Sequence, residues 1–302
     1  MQGSIINTHR VSQALKPFSL RVNETGINNV ISSLDGKSLS AEDRLQGIRL
    51  GISIIDLTSL EGTESSDKIS DLCTQAMRPL SDSNDIPHTA AVCLYPVFIK
   101  YAKEIVQGSG VKVASVTASF PSGQAPLDVK LGEVKRAVEL GADEVDLVFN
   151  REEFLEGKID CTYREISEAK QICGNVKLKV ILETGKLLTL DNIKKASLIV
   201  LLAGADFIKT STGKLQPAAT LPVTLVMLHA IKEYYLETGI MKGIKPAGGI
   251  RTTDGALSYL KLVKETLGDK WMTPELFRIG ASALLNDLLT HYKEESARLR
   301  NS

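Results

Sequence analysis

A closed parallel (β/α)8 barrel is the fold this sequence predicts, on three observations. Eight short runs of strand-forming residues recur along the chain, and each gap between them holds a helix-period segment. One joint is used twice, Gly141-Ala142-Asp143 and Gly204-Ala205-Asp206, as head-to-tail βα units would show. The first run leads into Thr58-Ser59-Leu60-Glu61-Gly62, which is not the GxGxxG of an open dinucleotide-binding sheet. A length of 302 residues suits one such barrel of about 250 residues behind an extension, so residues 1–50 read as extension and 51–302 as barrel.

The elements follow in order. Ile27, Val30, Ile31 and Leu34 fall at helical spacing, so the extension ends in one or two short helices. Residues 53–58 form the first strand and 66–78 an amphipathic helix. Residues 89–95 form the second strand, stopped by Pro96, with a helix over 97–107. The third strand covers 112–119, with its helix over 127–140. Residues 144–149, 178–183, 207–211, 243–245 and 277–280 supply the remaining five strands.

Composition removes several functions. Lys+Arg and Asp+Glu both number 36, and no basic run interleaves with aromatics, so neither nucleic acid nor an anionic membrane is an expected partner. No stretch of 18 apolar residues lacks charge, which excludes a helical membrane span. Cys73, Cys93, Cys161 and Cys173 have no CxxC spacing, so reduced cytosolic thiols are expected. The start, Met1 to Val22, lacks a continuous apolar core for a secretory signal, although it is basic and free of acids before Glu24. A cytoplasmic location is therefore predicted. There is no HExxH and the histidines are not clustered, so no metal is expected. Gly213-Lys214-Leu215 is no Walker motif either, because Leu215 stands where a magnesium-binding hydroxyl belongs.

Active sites in such barrels lie at the C-terminal ends of the strands. Period-two alternation puts Asp56, Asp146, Lys179, Glu183, Lys209 and Lys245 on inward faces there. Barrel interiors are normally filled with Val, Ile and Leu, so several lysines need a chemical reason. Lys209, inside Phe207-Ile208-Lys209-Thr210-Ser211, is the focal one: on its own it reads equally as a structural ion pair or a reactive amine. Lys245 comes from the next strand, about 5 Å away by sheet spacing, and two adjacent ammonium groups push one pKa down. The shift matters because a lysine at pKa 10.4 is neutral in only about one molecule in 2500 at pH 7. Asp146, two strands from Lys209, reads as a proton relay through water or as a neutralising counterion.

The loops after strands seven and eight form a second cluster. Ala247-Gly248-Gly249-Ile250-Arg251 offers backbone amides and a guanidinium, and Gly280-Ala281-Ser282 precedes the last helix, whose N-terminus attracts anions. Lys214 reaches the same corner. A phosphate is the expected occupant, since this corner of the fold commonly binds one.

Four segments carry a resemblance: 207–214 (FIKTSTGK), 245–251 (KPAGGIR), 142–146 (ADEVD) and 178–185 (LKVILETG). Together they resemble the signatures of the deoxyribose-phosphate aldolases, over about residues 55–288. The resemblance implies a class I, metal-independent and cofactor-free aldolase that cleaves 2-deoxyribose 5-phosphate reversibly to glyceraldehyde 3-phosphate and acetaldehyde. It implies Lys209 as the Schiff-base lysine, Lys245 as the lysine that tunes it and Asp146 as the relay carboxylate. Asp56, Thr58, Cys93, Lys179 and Thr212 would surround the substrate, and Gly213, Lys214, Gly248, Gly249, Arg251, Gly280 and Ser282 would hold its phosphate. The partner implied is a small phosphorylated sugar, and a homo-oligomer is compatible with the family.

Three positions depart from the family pattern. Ala283 stands in place of a second serine, Asn150 in place of a proline common in bacterial members, and Ala118-Ser119 in place of a frequent asparagine. The long extension is similar to the eukaryotic form. Two competing readings are a phosphosugar isomerase or synthase with a carboxylate base, and a barrel that serves only for binding.

Overall fold

The protein is described by a computed structural model over residues 8–34, 40–81 and 85–300. Residues 1–7, the first of the basic N-terminal stretch, lie outside the described residues. Three helices come first: α1 (Thr8–Ala14), α2 (Glu24–Leu34) and α3 (Ala41–Ser53). Strands and helices then alternate as β1 (Ile55–Thr58), α4 (Ser66–Met77), β2 (Ala91–Leu94), α5 (Ile99–Ile105), β3 (Lys112–Thr117), α6 (Leu127–Glu139) and β4 (Glu144–Val148). They continue as α7 (Arg151–Leu155), α8 (Ile159–Cys173), β5 (Lys177–Ile181), α9 (Leu190–Leu202), β6 (Phe207–Lys209) and α10 (Leu221–Thr238). The last are β7 (Gly243–Lys245), α11 (Thr253–Leu267), β8 (Ile279–Ala281) and α12 (Leu284–Arg300).

All eight strands are parallel, in the order β7-β6-β5-β4-β3-β2-β1-β8. The ends of that sheet meet through bridges Ile244↔Phe277 and Ala247↔Gly280, where Arg278 N donates to Ile244 O (3.0 Å) and Gly280 N to Pro246 O (2.9 Å). The predicted (β/α)8 barrel is the fold observed.

The repeated joint has a mechanical role. Gly141 (φ +94°) and Gly204 (φ +106°) stop their helices in a conformation other residues rarely adopt. The aspartate two residues later then fastens the new strand to the preceding one. Asp143 N donates to Val113 O (2.9 Å) while its Oδ2 accepts from Val113 N (2.8 Å). Asp206 repeats this with Leu178, at 2.9 Å for both bonds. A lysine from the neighbouring helix neutralises each carboxylate, Lys103 at 2.8 Å and Lys170 at 2.7 Å.

Strands three, five and six end earlier than their apolar runs suggest. Ala118 (φ +60°) and Ser119 (φ +55°) after β3, and Glu183 (φ +49°) after β5, turn left-handed and break the pleat. Asparagine tolerates that region better than alanine or serine does. Here Glu133 holds the turn instead, accepting from Ser119 N at 2.8 Å.

The extension is part of the barrel's exterior and more helical than expected. Val11, Leu15, Phe18, Ile27 and Leu34 are buried in the main apolar core. The division read at residue 50 falls inside α3, which Ser40 caps by accepting from Asp43 N, a bond worth about 1 kcal/mol. Ile48 and Ile52 of α3 are fully buried, and Arg44 pairs with Asp254 of α11 (2.7 Å) and Glu295 of α12 (3.1 Å).

Candidate active site

Strand register brings the inward residues together. Asp146 on β4 pairs with Lys179 on β5, and Lys209 on β6 pairs with Lys245 on β7. Their side chains converge on one closed ionic cluster at the barrel axis. Asp146 Oδ2 accepts from Lys209 Nζ and from Lys245 Nζ, each at 2.7 Å, while its Oδ1 takes Lys179 Nζ at 3.1 Å. Asp56 Oδ2 takes Lys179 Nζ at 2.9 Å and also Lys245 Nζ. Beneath them Arg278 Nη1 meets Asp56 Oδ1 at 2.6 Å, and Glu144 bridges Arg278 and Lys179.

Burial sets the electrostatics. Desolvation is the largest influence on Lys209 and lowers its pKa, Asp146 opposes the shift, and Lys245 adds to it. Desolvation acts the same way on Lys245 and Lys179, but two or more carboxylates apiece overcome it and hold both above the ordinary lysine range. Burial would raise the Asp56 and Asp146 carboxyls, yet the surrounding cations hold them well below the usual carboxylate value. Lys245 thus lowers the Lys209 pKa as expected, but burial outranks it. The expected water-mediated distance between Lys209 and Asp146 is replaced by direct contact.

A cavity of about 200 Å³ opens above the cluster. Of the cluster, Lys209 alone borders it, together with Thr58, Thr212, Gly213, Lys214, Gly248, Gly249, Arg251, Gly280 and Ser282. These are the expected pocket residues. Gly213 (φ +81°), Gly248 (φ +82°) and Gly249 (φ +86°) give the loops their left-handed turns, and a Cβ on Gly248 would lie 3.1 Å from Gly213 Cα. At Gly280 a Cβ would come within 3.1 Å of Lys245 Cε, so the missing side chain is what lets the lysine pass. Three expected substrate contacts are elsewhere: Asp56, Lys179 and Cys93 are fully buried and do not border the cavity. Cys93 Sγ instead faces Asp146 Oδ2 at 3.9 Å, and burial pushes its thiol pKa up.

Residues 51–290 match the DeoC/LacD family aldolase. The chain belongs to that aldolase family. Deoxyribose-phosphate aldolase from Homo sapiens is 47% identical over 247 residues, 78% of each chain. Its Mus musculus counterpart is 44% identical over 263 residues, 83% of this chain and 82% of its own. A crystal structure from Toxoplasma gondii ME49 shares the fold, with a TM-score of 0.75 over 85% of this chain and 98% of its own at 24% identity. Deoxyribose phosphate aldolase from Aeropyrum pernix, described as tetrameric, is 27% identical, with a TM-score of 0.63 over 84% of this chain and 98% of its own.

Two charged members of the aldolase's cluster escape a sequence reading, Glu144 and Arg278. Each lies two residues before an inward position, Asp146 and Gly280, so strand parity was the available signal. A charge at the entry of a strand ordinarily reads as solvated, and that masks it. Glu183 errs the other way. Its left-handed backbone turns the carboxylate from the lysines to Thr212, whose Oγ1 and N donate to it. Among the departures, Asn150 caps α7 by accepting from Glu152 N (3.1 Å), and Ala283 lines the cavity without a hydroxyl. Among the described residues no cluster could hold a metal ion, and no helix is long and apolar enough to cross a membrane.

Proposed function

We propose that this chain cleaves 2-deoxyribose 5-phosphate reversibly to glyceraldehyde 3-phosphate and acetaldehyde through an imine on Lys209. One observation carries the reading: the amine with the lowered pKa is the cluster member that borders the cavity, and the facing wall is made of glycine loops with Lys214 and Arg251. A neutral amine is the form that attacks a carbonyl. The loops offer backbone N–H groups and two cations to the phosphate at the far end of the sugar.

The steps follow from the contacts. Neutral Lys209 Nζ adds to the aldehyde carbon of the open-chain sugar, and loss of water leaves a protonated imine. Asp146, whose Oδ2 already accepts from Lys209 and Lys245, stands beside the imine and helps take the proton of the C3 hydroxyl. Its carboxyl is strongly acidic, so it passes the proton on rather than keeping it. As the C2–C3 bond breaks, its electrons enter the imine to give an enamine, and C3 leaves as the aldehyde of glyceraldehyde 3-phosphate. Protonation at C2 and hydrolysis release acetaldehyde and restore Lys209. The imine is the electron sink, so the chemistry requires neither metal nor organic cofactor.

The same proposal includes a cytoplasmic location, which four free thiols suit, and self-association, which the tetrameric relative supports. Sedimentation at monomer mass alone would remove the latter. For the reaction, borohydride reduction in the presence of acetaldehyde should leave an ethyl group on Lys209 and abolish turnover. An unmodified Lys209 with activity intact would sink the imine mechanism and favour a carboxylate-base isomerase.

A further inference from the structure

Arg278 and Glu144 form a second tier under the lysines. They meet at two points, Nη2 to Oε1 at 2.7 Å and Nη1 to Oε2 at 3.1 Å, and both are buried. Neither borders the cavity, so neither touches substrate. Their link to Lys209 is a short relay of contacts: Arg278 to Asp56, Asp56 to Lys245, Lys245 to Asp146, and Asp146 to Lys209. Glu144 enters the same relay through Lys179, which also reaches Asp146.

Charge balance gives this tier a function. In ionised form, Lys179, Lys209, Lys245 and Arg278 face Asp56, Glu144 and Asp146, so four cations meet three carboxylates in a closed space. An uncompensated buried charge is strongly unfavourable, and loss of one proton relieves it. Arg278 cannot supply that proton, because a guanidinium does not deprotonate in proteins. Lys179 touches three carboxylates and Lys245 two, whereas Lys209 touches one and has the cavity as an exit. The surplus is discharged at Lys209. The titratable and charged groups that face this amine are Asp146 on β4, Cys93 on β2 and Lys245 on β7, with Lys179 on β5 and Asp56 on β1 behind them. Across the cavity lie Lys214, Arg251 and Glu61.

We propose that Arg278 and Glu144 are positioning residues that fix the net charge of this cluster and thereby decide whether Lys209 holds its proton. The inference rests on Lys209 being the imine-forming amine. It makes a prediction that a packing role does not: neutralising the two partners of one ion pair shifts the pH profile in opposite directions. Arg278→Met leaves three cations against three carboxylates, so Lys209 keeps its proton and the acid limb of log kcat/KM moves to higher pH. Glu144→Gln raises the surplus to two, and the limb moves to lower pH. Arg278→Lys keeps the charge and should return the midpoint to the parent value, even with the two-point pairing lost.

The experiment measures the pH dependence of turnover and of acetaldehyde–borohydride trapping at Lys209 for the parent and the three variants. A displacement of about one pH unit or more is expected, equivalent to about tenfold in rate on the limb. Shifts of the same sign, or midpoints unmoved in folded variants, overturn the proposal. If Arg278→Met does not fold, the sign of the Glu144→Gln shift decides alone, since that change keeps the side-chain volume. Failure of the parent protein to trap at Lys209 is a separate outcome that removes the imine mechanism itself.

Discussion

Lys209 Nζ lies 2.7 Å from Asp146 Oδ2, a contact that reaches across β5 from β6 to β4 with both partners buried, and the same carboxylate is the counterion of Lys179 and Lys245. Removing one side of a buried pair strands the other, at a cost of about 3–5 kcal/mol. Asp146→Asn keeps the shape and removes the charge. We expect lower stability in denaturant titration and a fall in kcat of about 10²–10⁴-fold from loss of acid–base assistance. Imine trapping at Lys209 should persist; if trapping and turnover vanish together, Asp146 is not a relay distinct from the nucleophile.

Lys245 tests the electrostatic half of the argument. It is held above the ordinary lysine range and is therefore a cation at any working pH. In Lys245→Met the repulsion on Lys209 disappears, and the ammonium form of Lys209 becomes more favourable. The acid limb of the rate profile therefore moves to higher pH, with at least about tenfold less activity at pH 7 and partial recovery toward pH 9. A profile that keeps its midpoint would contradict this.

Arg251 is exposed on the cavity wall and takes no part in the ionic cluster. Its truncation should weaken only the hold on the phosphate. Arg251→Ala is expected to raise KM for deoxyribose 5-phosphate by about 10–100-fold, the worth of one charged hydrogen bond, and leave KM for free deoxyribose unchanged. Equal effects on both substrates would place Arg251 outside the phosphate site.

The paired glycines separate backbone strain from steric fit. Gly248 and Gly249 share nearly the same φ, +82° and +86°. A Cβ on Gly249 meets nothing within 4 Å, whereas one on Gly248 lies 2.8 Å from Ala218 Cβ and 3.1 Å from Gly213 Cα. Gly249→Ala should cost about 1–2 kcal/mol, the left-handed penalty alone. Gly248→Ala should add about 1–3 kcal/mol of overpacking and distort the anion loop. Thermal melting with and without inorganic phosphate reads both effects, and equal losses would refute the steric part.

Thiol reactivity follows burial. Cys73, Cys93 and Cys173 are buried, and desolvation pushes Cys73 up to about 11 and Cys173 up to about 12. Cys161 is half-exposed. Iodoacetamide at pH 8 should label Cys161 in the native protein and reach the others only after unfolding. Early labelling of Cys93, with loss of activity, would show that the cluster opens to solvent.

By itself the sequence determined the barrel, the inward faces of Asp146, Lys209 and Lys245, and the glycine loops that wall the cavity. These rest on local rules: period-two alternation along a strand, glycine where the backbone turns left-handed, and repetition of one helix-to-strand joint. The loop glycines around the cavity were legible for the same reason, whereas Thr58 and Thr212 were reached only through the resemblance of the motifs that contain or adjoin them. Closure and strand register decided what alternation does not encode, namely which charges meet across the axis. The tertiary structure alone put Lys209 directly on Asp146 and turned Glu183 toward Thr212. It set Asp56, Lys179 and Cys93 below the cavity, and it brought Arg278 from beside β8 onto Glu144 of β4. A buried charge is governed by the sum of its neighbours, and in a closed barrel those neighbours come from strands far apart in the chain.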